Sequence, residues 1–177
     1  MLSIRKINPM VRAVGTMGAV AAIVGGVTFA AQTNTAALTT NSLTSGTPLL
    51  QVGTQSSAFA DTAPGMTATL TPGITQSFTF YLQNNDTLPL SVTASVPTDF
   101  TNSEIPASAV TMSLDCGAGA VIYPLSSWAG GSAVIPGTVP AGSFSTCTES
   151  VTLDSTYSQS GQTLTPYTIN FVGSDNS

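Results

Sequence analysis

The sequence predicts an all-β protein: an antiparallel two-sheet sandwich of jelly-roll type with about eight strands, preceded by a cleaved signal peptide. Three observations carry this expectation. Short runs alternate apolar and hydroxyl side chains and are bounded by Pro, Gly, Asn and Asp. No stretch longer than about ten residues keeps the 3.6-residue apolar period of a helix. Arg5, Lys6 and Arg12, the only basic residues, all precede an uncharged stretch from Val14 to Ala31.

That opening has the layout of an export signal: a basic n-region, an apolar h-region and a small-residue cleavage site. The favoured cut lies between Ala30 and Ala31, because Thr28 and Ala30 then occupy the two small-residue positions. An uncleaved anchor is the competing reading, since roughly 18 apolar residues is the lower limit for a span. The chain therefore divides into a signal peptide (1–30), an N-terminal extended segment (31–46) and a β-domain (47–177). The segment from Ala31 to Gly46 is Thr- and Asn-rich with few large apolar side chains, so it reads as irregular.

Strands follow in order. Leu49 to Val52 opens the set. Met66, Ala68 and Leu70 alternate with threonines, and Pro72-Gly73 then turns the chain. Phe78, Phe80 and Leu82 alternate up to Asn84-Asn85-Asp86, a turn signal that predicts a hairpin with the next run, Leu90 to Val96. Val110 to Leu114 leads into Cys116. Ala120 to Tyr123 is short. Cys147 to Leu153, with Val151 and Leu153 as apolar members, and Tyr167 to Phe171 complete the set. Ser126 to Gly142, with four glycines and two prolines, reads as a long surface loop, and Trp128 as a plug on the sandwich edge. An immunoglobulin-like sandwich is the alternative, since Cys116, Trp128 and Cys147 fall in its order, but their spacing is short for it.

Composition narrows function. Charged residues make up 6% of 177 positions, whereas 28 Thr and 22 Ser supply hydroxyls, so polar surface is built from hydroxyls rather than ion pairs. The chain has no His, which removes Ser-His-Asp and Cys-His catalysis and His-based zinc sites. Loss of the three basic residues with the signal takes the net charge from −5 to −8. Such a surface disfavours nucleic acid and anionic lipid, so neither nucleic acid nor, after cleavage, membrane is expected as a partner. No enzyme activity, cofactor or metal is expected.

Cys116 and Cys147 are the only cysteines, and both lie in the exported part. An even count in an oxidising compartment predicts a disulfide; two buried free thiols are the alternative. The eight acids are spread out without the spacing of a calcium loop. A disulfide could bring Asp115 and Glu149 together, but solvated surface acids are the default. Asn85-Asp86-Thr87 matches a glycosylation sequon.

Several segments resemble the TasA and camelysin-like family of exported bacterial proteins. Ile23 to Ala31 is similar to the end of that family's signal. Asn41-Ser42-Leu43-Thr44-Ser45-Gly46-Thr47-Pro48-Leu49-Leu50 is similar to the segment that opens its first strand. Leu70-Thr71-Pro72-Gly73 with Phe78, Phe80 and Asn84-Asn85, and Tyr157 through Gly161 to Phe171, resemble later motifs. The middle, from Pro97 to about Ser145, does not align. The resemblance implies a jelly-roll subunit of secreted fibres that pairs with a second copy of itself by donating its N-terminal strand. Ala31 to about Leu43 would be the donor. Ala31, Thr33, Thr35 and Ala37 would form one face, and Gln32, Asn34, Ala36 and Leu38 the other. A disordered leader is the competing reading of this segment. A monomeric secreted or cell-surface adhesive β-domain that binds a glycan or protein is the alternative function, and a cleft lined by Trp128 and Tyr123 would favour it.

Overall fold

Apolar side chains at every second position leave each strand with one face that must be kept from water, and two stacked sheets meet that need. The computed structural model describes residues 36–38, 41–45 and 49–175. The expected signal peptide, its expected cleavage point at Ala30 and Ala31, and the candidate donor residues Thr33 and Thr35 lie outside the described residues. The described residues belong to one compact unit.

Among them are fourteen strand segments: β1 (Ala36–Leu38), β2 (Ser42–Ser45), β3 (Leu50–Gln55), β4 (Ala58–Ala60), β5 (Thr62–Pro64), β6 (Ala68–Leu70), β7 (Thr75–Asn84), β8 (Leu90–Ser95), β9 (Val110–Asp115), β10 (Ala120–Pro124), β11 (Ser132–Val139), β12 (Phe144–Leu153), β13 (Gln162–Leu164) and β14 (Thr168–Asp175). A six-stranded sheet has the order β10-β9-β12-β7-β3-β4, and a five-stranded sheet has the order β11-β8-β14-β2-β5. A small third sheet, β13-β1-β6, extends the second one, as shown below. All pairs are antiparallel except β14 with β2 and β13 with β1. The protein is an all-β sandwich.

The core lies between the two large sheets. Burial alternates residue by residue along β8, β9 and β12. Phe80 of one sheet meets Phe171 of the other with ring centroids 5.3 Å apart. Each such fully buried large side chain contributes about 1.5–3 kcal/mol over its exposed state.

Three local expectations need correction. Asn84-Asn85-Asp86 does not close a hairpin: β7 lies in the six-stranded sheet and β8 in the five-stranded one, so the chain crosses the sandwich here. Asn84 is buried, and its Nδ2 donates to the carbonyls of Leu88 (2.7 Å) and Val139 (3.0 Å). Those bonds anchor the crossover, where a hairpin would have left the side chain in water.

Ser126 to Gly142 is not a surface loop. It holds the end of a one-turn helix, α1 (Leu125–Trp128), and then β11, whose Ile135 and Val139 are buried. Pro136 and Gly137 hid the strand from pattern reading. They sit where the register with β8 shifts between Ile135 and Val139, and an edge strand tolerates a proline there. Trp128 is the expected plug: it is 1% exposed, and its Nε1 donates to the Met112 carbonyl at 3.3 Å.

The segment from Ala31 to Gly46 is not irregular throughout, because it contains β1 and β2. This second missed region proves central to the site.

Candidate functional site

β1 and β2 behave as one interrupted strand in the middle of a sheet. On one side the segment runs parallel to the C-terminal strands: Ala36 faces Gln162 and Ser42 faces Thr168. The offset between partners is the same before and after the interruption. On the other side it runs antiparallel to the segment of β5 and β6, with Ala36 opposite Leu70 and Ser42 opposite Pro64, again in one unbroken register. The N-terminal strand therefore fills a slot with two walls, β13–β14 and β5–β6.

All three strands break at the same level and change face there. Inward-facing residues are Ala36 and Leu38 before the break, and Asn41 and Leu43 after it. Its neighbours match: Leu70 then Met66 and Ala63 on one wall, and Leu164 then Tyr167, Ile169 and Phe171 on the other. Strict alternation would have placed Leu43 on the face opposite Leu38. The shared kink instead gathers Ala36, Leu38 and Leu43 on one buried face. Ala37 pairs through its backbone with Thr69 and Thr163.

Polar groups line the kink. The Tyr167 N–H donates to Asn41 Oδ1 at 3.0 Å, the Ser42 N–H to the Tyr167 carbonyl at 3.1 Å, and the Gly65 N–H to the Asn41 carbonyl at 2.9 Å. Gly65 keeps this approach open, since a Cβ would lie in tight contact at 3.1 Å from the Asn41 carbonyl carbon, the Asn41 Cβ and the Ser42 nitrogen. The Tyr167 hydroxyl crosses the sandwich and donates to Glu149 Oε1 at 2.5 Å. Tyr167 and Glu149 thus tie the slot to β12 of the opposite sheet. Burial pushes the Glu149 carboxyl up to about 7, against the opposing pull of the tyrosine hydroxyl. Burial, with the neighbouring Glu149 carboxylate, holds the Tyr167 hydroxyl well above its usual range. The outer edge of β13 is covered: Glu104 Oε2 accepts from the Thr163 N–H (2.7 Å) and hydroxyl (2.6 Å), which lowers that carboxyl below its usual range.

The default of a solvated surface acid fails for Glu149, which is fully buried, and the strand pattern carried a signal for it. It holds the inward position between Cys147 and Val151 in a run whose other inward members are buried. The pairing of Asp115 with Glu149 that a disulfide could have produced does not occur. The disulfide Cys116–Cys147 is present, with Cα atoms 4.1 Å apart, and it continues the β9–β12 register in which Asp115 faces Thr148 and Leu114 faces Glu149. Alternation then sends Glu149 into the core and Asp115 outward, where its Oδ1 accepts from the Gly117 N–H at 2.7 Å. The bridge does not join the two carboxylates. Among the described residues, no group of three or more Cys, Asp and Glu side chains could hold a metal ion.

A second feature lies at the opposite margin, where the edge strands β10 and β11 approach each other. A cleft of about 360 Å³ is lined by Val121, Tyr123, Ser127, Trp128, Ser132 and Val134. Tyr123 is half-exposed and stands edge-on to the buried Trp128, with centroids 5.8 Å apart. The lining carries hydroxyls and apolar groups but no charge.

The chain matches no protein-family model, no curated protein and no solved structure. Among the described residues, no helix is long and apolar enough to cross a membrane.

Proposed function

We propose that this chain is the structural subunit of a secreted extracellular filament, a biofilm-matrix type of fibre, built head to tail by donation of the N-terminal strand to the next copy. The reading takes the sandwich as a jelly roll of the TasA and camelysin-like kind, exported by a signal peptide cut behind Ala30. The observation that carries it is the central slot. The first described strand lies between two others, buries Ala36, Leu38 and Leu43, and is joined to the rest of the domain through the short stretch between Ser45 and Leu50.

After cleavage, such a strand is tethered at one end only. A copy from a neighbour offers the same backbone groups and the same side chains to the same slot. Exchange therefore leaves the contacts unchanged and costs chiefly the entropy of association, which concentration offsets. Five Cα steps from Ser45 to Leu50 reach about 17–18 Å when extended, so the connection can act as the hinge. A head-to-tail exchange does not close on itself and propagates as a fibre. The disulfide suits an oxidising exterior.

The cleft beside Tyr123 favours the second reading, a monomeric adhesive domain that holds a glycan or peptide against an aromatic side chain. Negative-stain electron microscopy separates the two. The mature chain beginning at Ala31 is expected to give filaments whose length grows with protein concentration, and a chain lacking Ala31 to Leu43 is expected to give none. Monomers from the mature chain at high concentration and after long incubation would favour the adhesive domain.

A further inference from the structure

We propose that Asn41, together with the kink it shares with Gly65 and Tyr167, fixes the one register in which the N-terminal strand enters the slot, whether the strand is the domain's own or a second copy's. The case of a second copy rests on the filament reading above; the case of the domain's own strand does not.

A parallel strand seated between two neighbours with small side chains needs a register device. Ala36, Ala63 and Ala68 are small, and a slip of two residues keeps each side chain on its own face, although it sets Ala36 at the level of Leu38 in one direction and Asn41 or Ser45 at the level of Leu43. Loss of the buried leucine contacts disfavours such registers but does not by itself fix the level of the kink. The kink discriminates strongly, because three strands change face at one level. Leu38 lies level with Ala68 and Leu164, and Leu43 lies level with Ala63 and Ile169. Asn41 lies between these rows, bonded through its side chain to the Tyr167 N–H and through its carbonyl to the Gly65 N–H.

Slipping the strand by two residues moves the Asn41 side chain away from the Tyr167 N–H, in one direction to the level of Ala63 and Ile169 and in the other to the level of Thr67 and Thr165. Thr39 or Leu43 then stands at the kink. A leucine there leaves the Tyr167 N–H without its acceptor, and either slip puts the strand's own change of face out of step with both walls. An unpartnered buried amide of this kind disfavours a register by roughly ten- to a hundred-fold. A buried asparagine that specifies register at some cost in stability has a precedent in coiled coils. The cost is visible here as well: Asn41 Nδ2 is buried with no hydrogen-bond partner among the described residues. Gly65 completes the device, because its missing Cβ admits the Asn41 backbone.

Cysteine trapping in the full mature chain tests this. Thr44 and Thr62 are register partners on β2 and β5, whereas Thr44 and Pro64 would face each other only after a two-residue slip. In the native register that diagonal spans about 7–8 Å between Cα atoms, beyond the usual reach of a disulfide. With Asn41 intact, Thr44→Cys/Thr62→Cys is expected to cross-link under mild oxidation and Thr44→Cys/Pro64→Cys at least ten-fold less. In Asn41→Leu the second pair is expected to gain and the first to lose, which relaxes the ratio by ten-fold or more. Comparable trapping of both pairs with Asn41 intact would overturn the proposal, and that measurement does not depend on the folding of Asn41→Leu. An unchanged ratio in a folded Asn41→Leu would overturn it equally. Cross-linked species separate by mass. A register-specific bond within single chains but never between chains would support the register device and count against the filament reading, so the two fail separately.

Discussion

Raising the pH from 4.5 to 8 ionises a carboxyl group that lies in the core of this sandwich. Glu149 is fully buried on β12, accepts one hydrogen bond from the Tyr167 hydroxyl, and leaves its second oxygen without a partner among the described residues. The groups facing it across the strand register are Leu114 and Phe78, so Tyr167 is the titratable side chain in contact. Burial raises the folded-state pKa from 4.5 to about 7. A carboxyl group raised in this way holds its proton more tightly when folded, so its stabilisation is fully present below the unfolded value near 4.5. It is lost as the pH rises through about 7. The interval of about 2.5 pH units at about 1.4 kcal/mol each gives a loss on the order of 3 kcal/mol. For a domain of this size that corresponds to a fall in Tm of roughly 6–12 °C. Asp99, Glu104 and Asp154 work in the opposite sense, since hydrogen bonds from Thr101, Thr163 and Thr156 hold them below their usual ranges. Their stabilisation disappears only as the pH falls through those lowered values. Glu149→Gln isolates the buried group: the amide keeps the oxygen that accepts from Tyr167 and cannot ionise. Urea denaturation at half-unit steps from pH 4.5 to 8 is expected to show wild-type stability declining while the variant stays flat. Parallel pH profiles for the two proteins would refute the reasoning.

Other perturbations follow from the same contacts. Replacing both Cys116 and Cys147 by Ser opens a loop closed across 31 residues, and chemical denaturation is expected to register a loss of about 3–4 kcal/mol. Trp128 is the single tryptophan and is buried, so its emission is expected to be blue-shifted in the folded protein and to move red in one step on unfolding. Trp128→Ala is expected to cost about 3–5 kcal/mol by thermal denaturation. Leu38→Ala empties a fully buried position in the slot and is expected to cost about 2–5 kcal/mol, with faster amide exchange in the partner strands β6 and β13.

Alternation made the sheet interiors legible in the sequence. Leu90 to Val96, Val110 to Leu114 and Cys147 to Leu153 all became strands whose alternate residues are buried. The even cysteine count gave the disulfide. The N-terminal strand was poorly legible because its buried face changes phase between Leu38 and Asn41, and a period of two cannot follow a kink imposed by two neighbouring strands. β11 was hidden by Pro136-Gly137, which the bulge against β8 accommodates. The crossover at Asn84 carries the same residues as a hairpin turn. Only the carbonyls of Leu88 and Val139, which are brought near by tertiary structure, distinguish the two. At the candidate site the residue pattern placed neither the strand nor its polar seam; a strand there was implied only by the resemblance to the TasA and camelysin-like family. Asn41 and Tyr167 lie 126 residues apart, and no local pattern pairs them.

The central claim is that the N-terminal strand leaves its own slot to enter the next copy's. Locking it in place tests this most directly. The mature chain carrying Thr44→Cys/Thr62→Cys is oxidised, its cross-linked monomer is purified, and it is compared with the unaltered mature chain by electron microscopy and light scattering. The account predicts filaments from the unaltered chain and only monomers from the locked one. Filaments of equal length and number from both would contradict it.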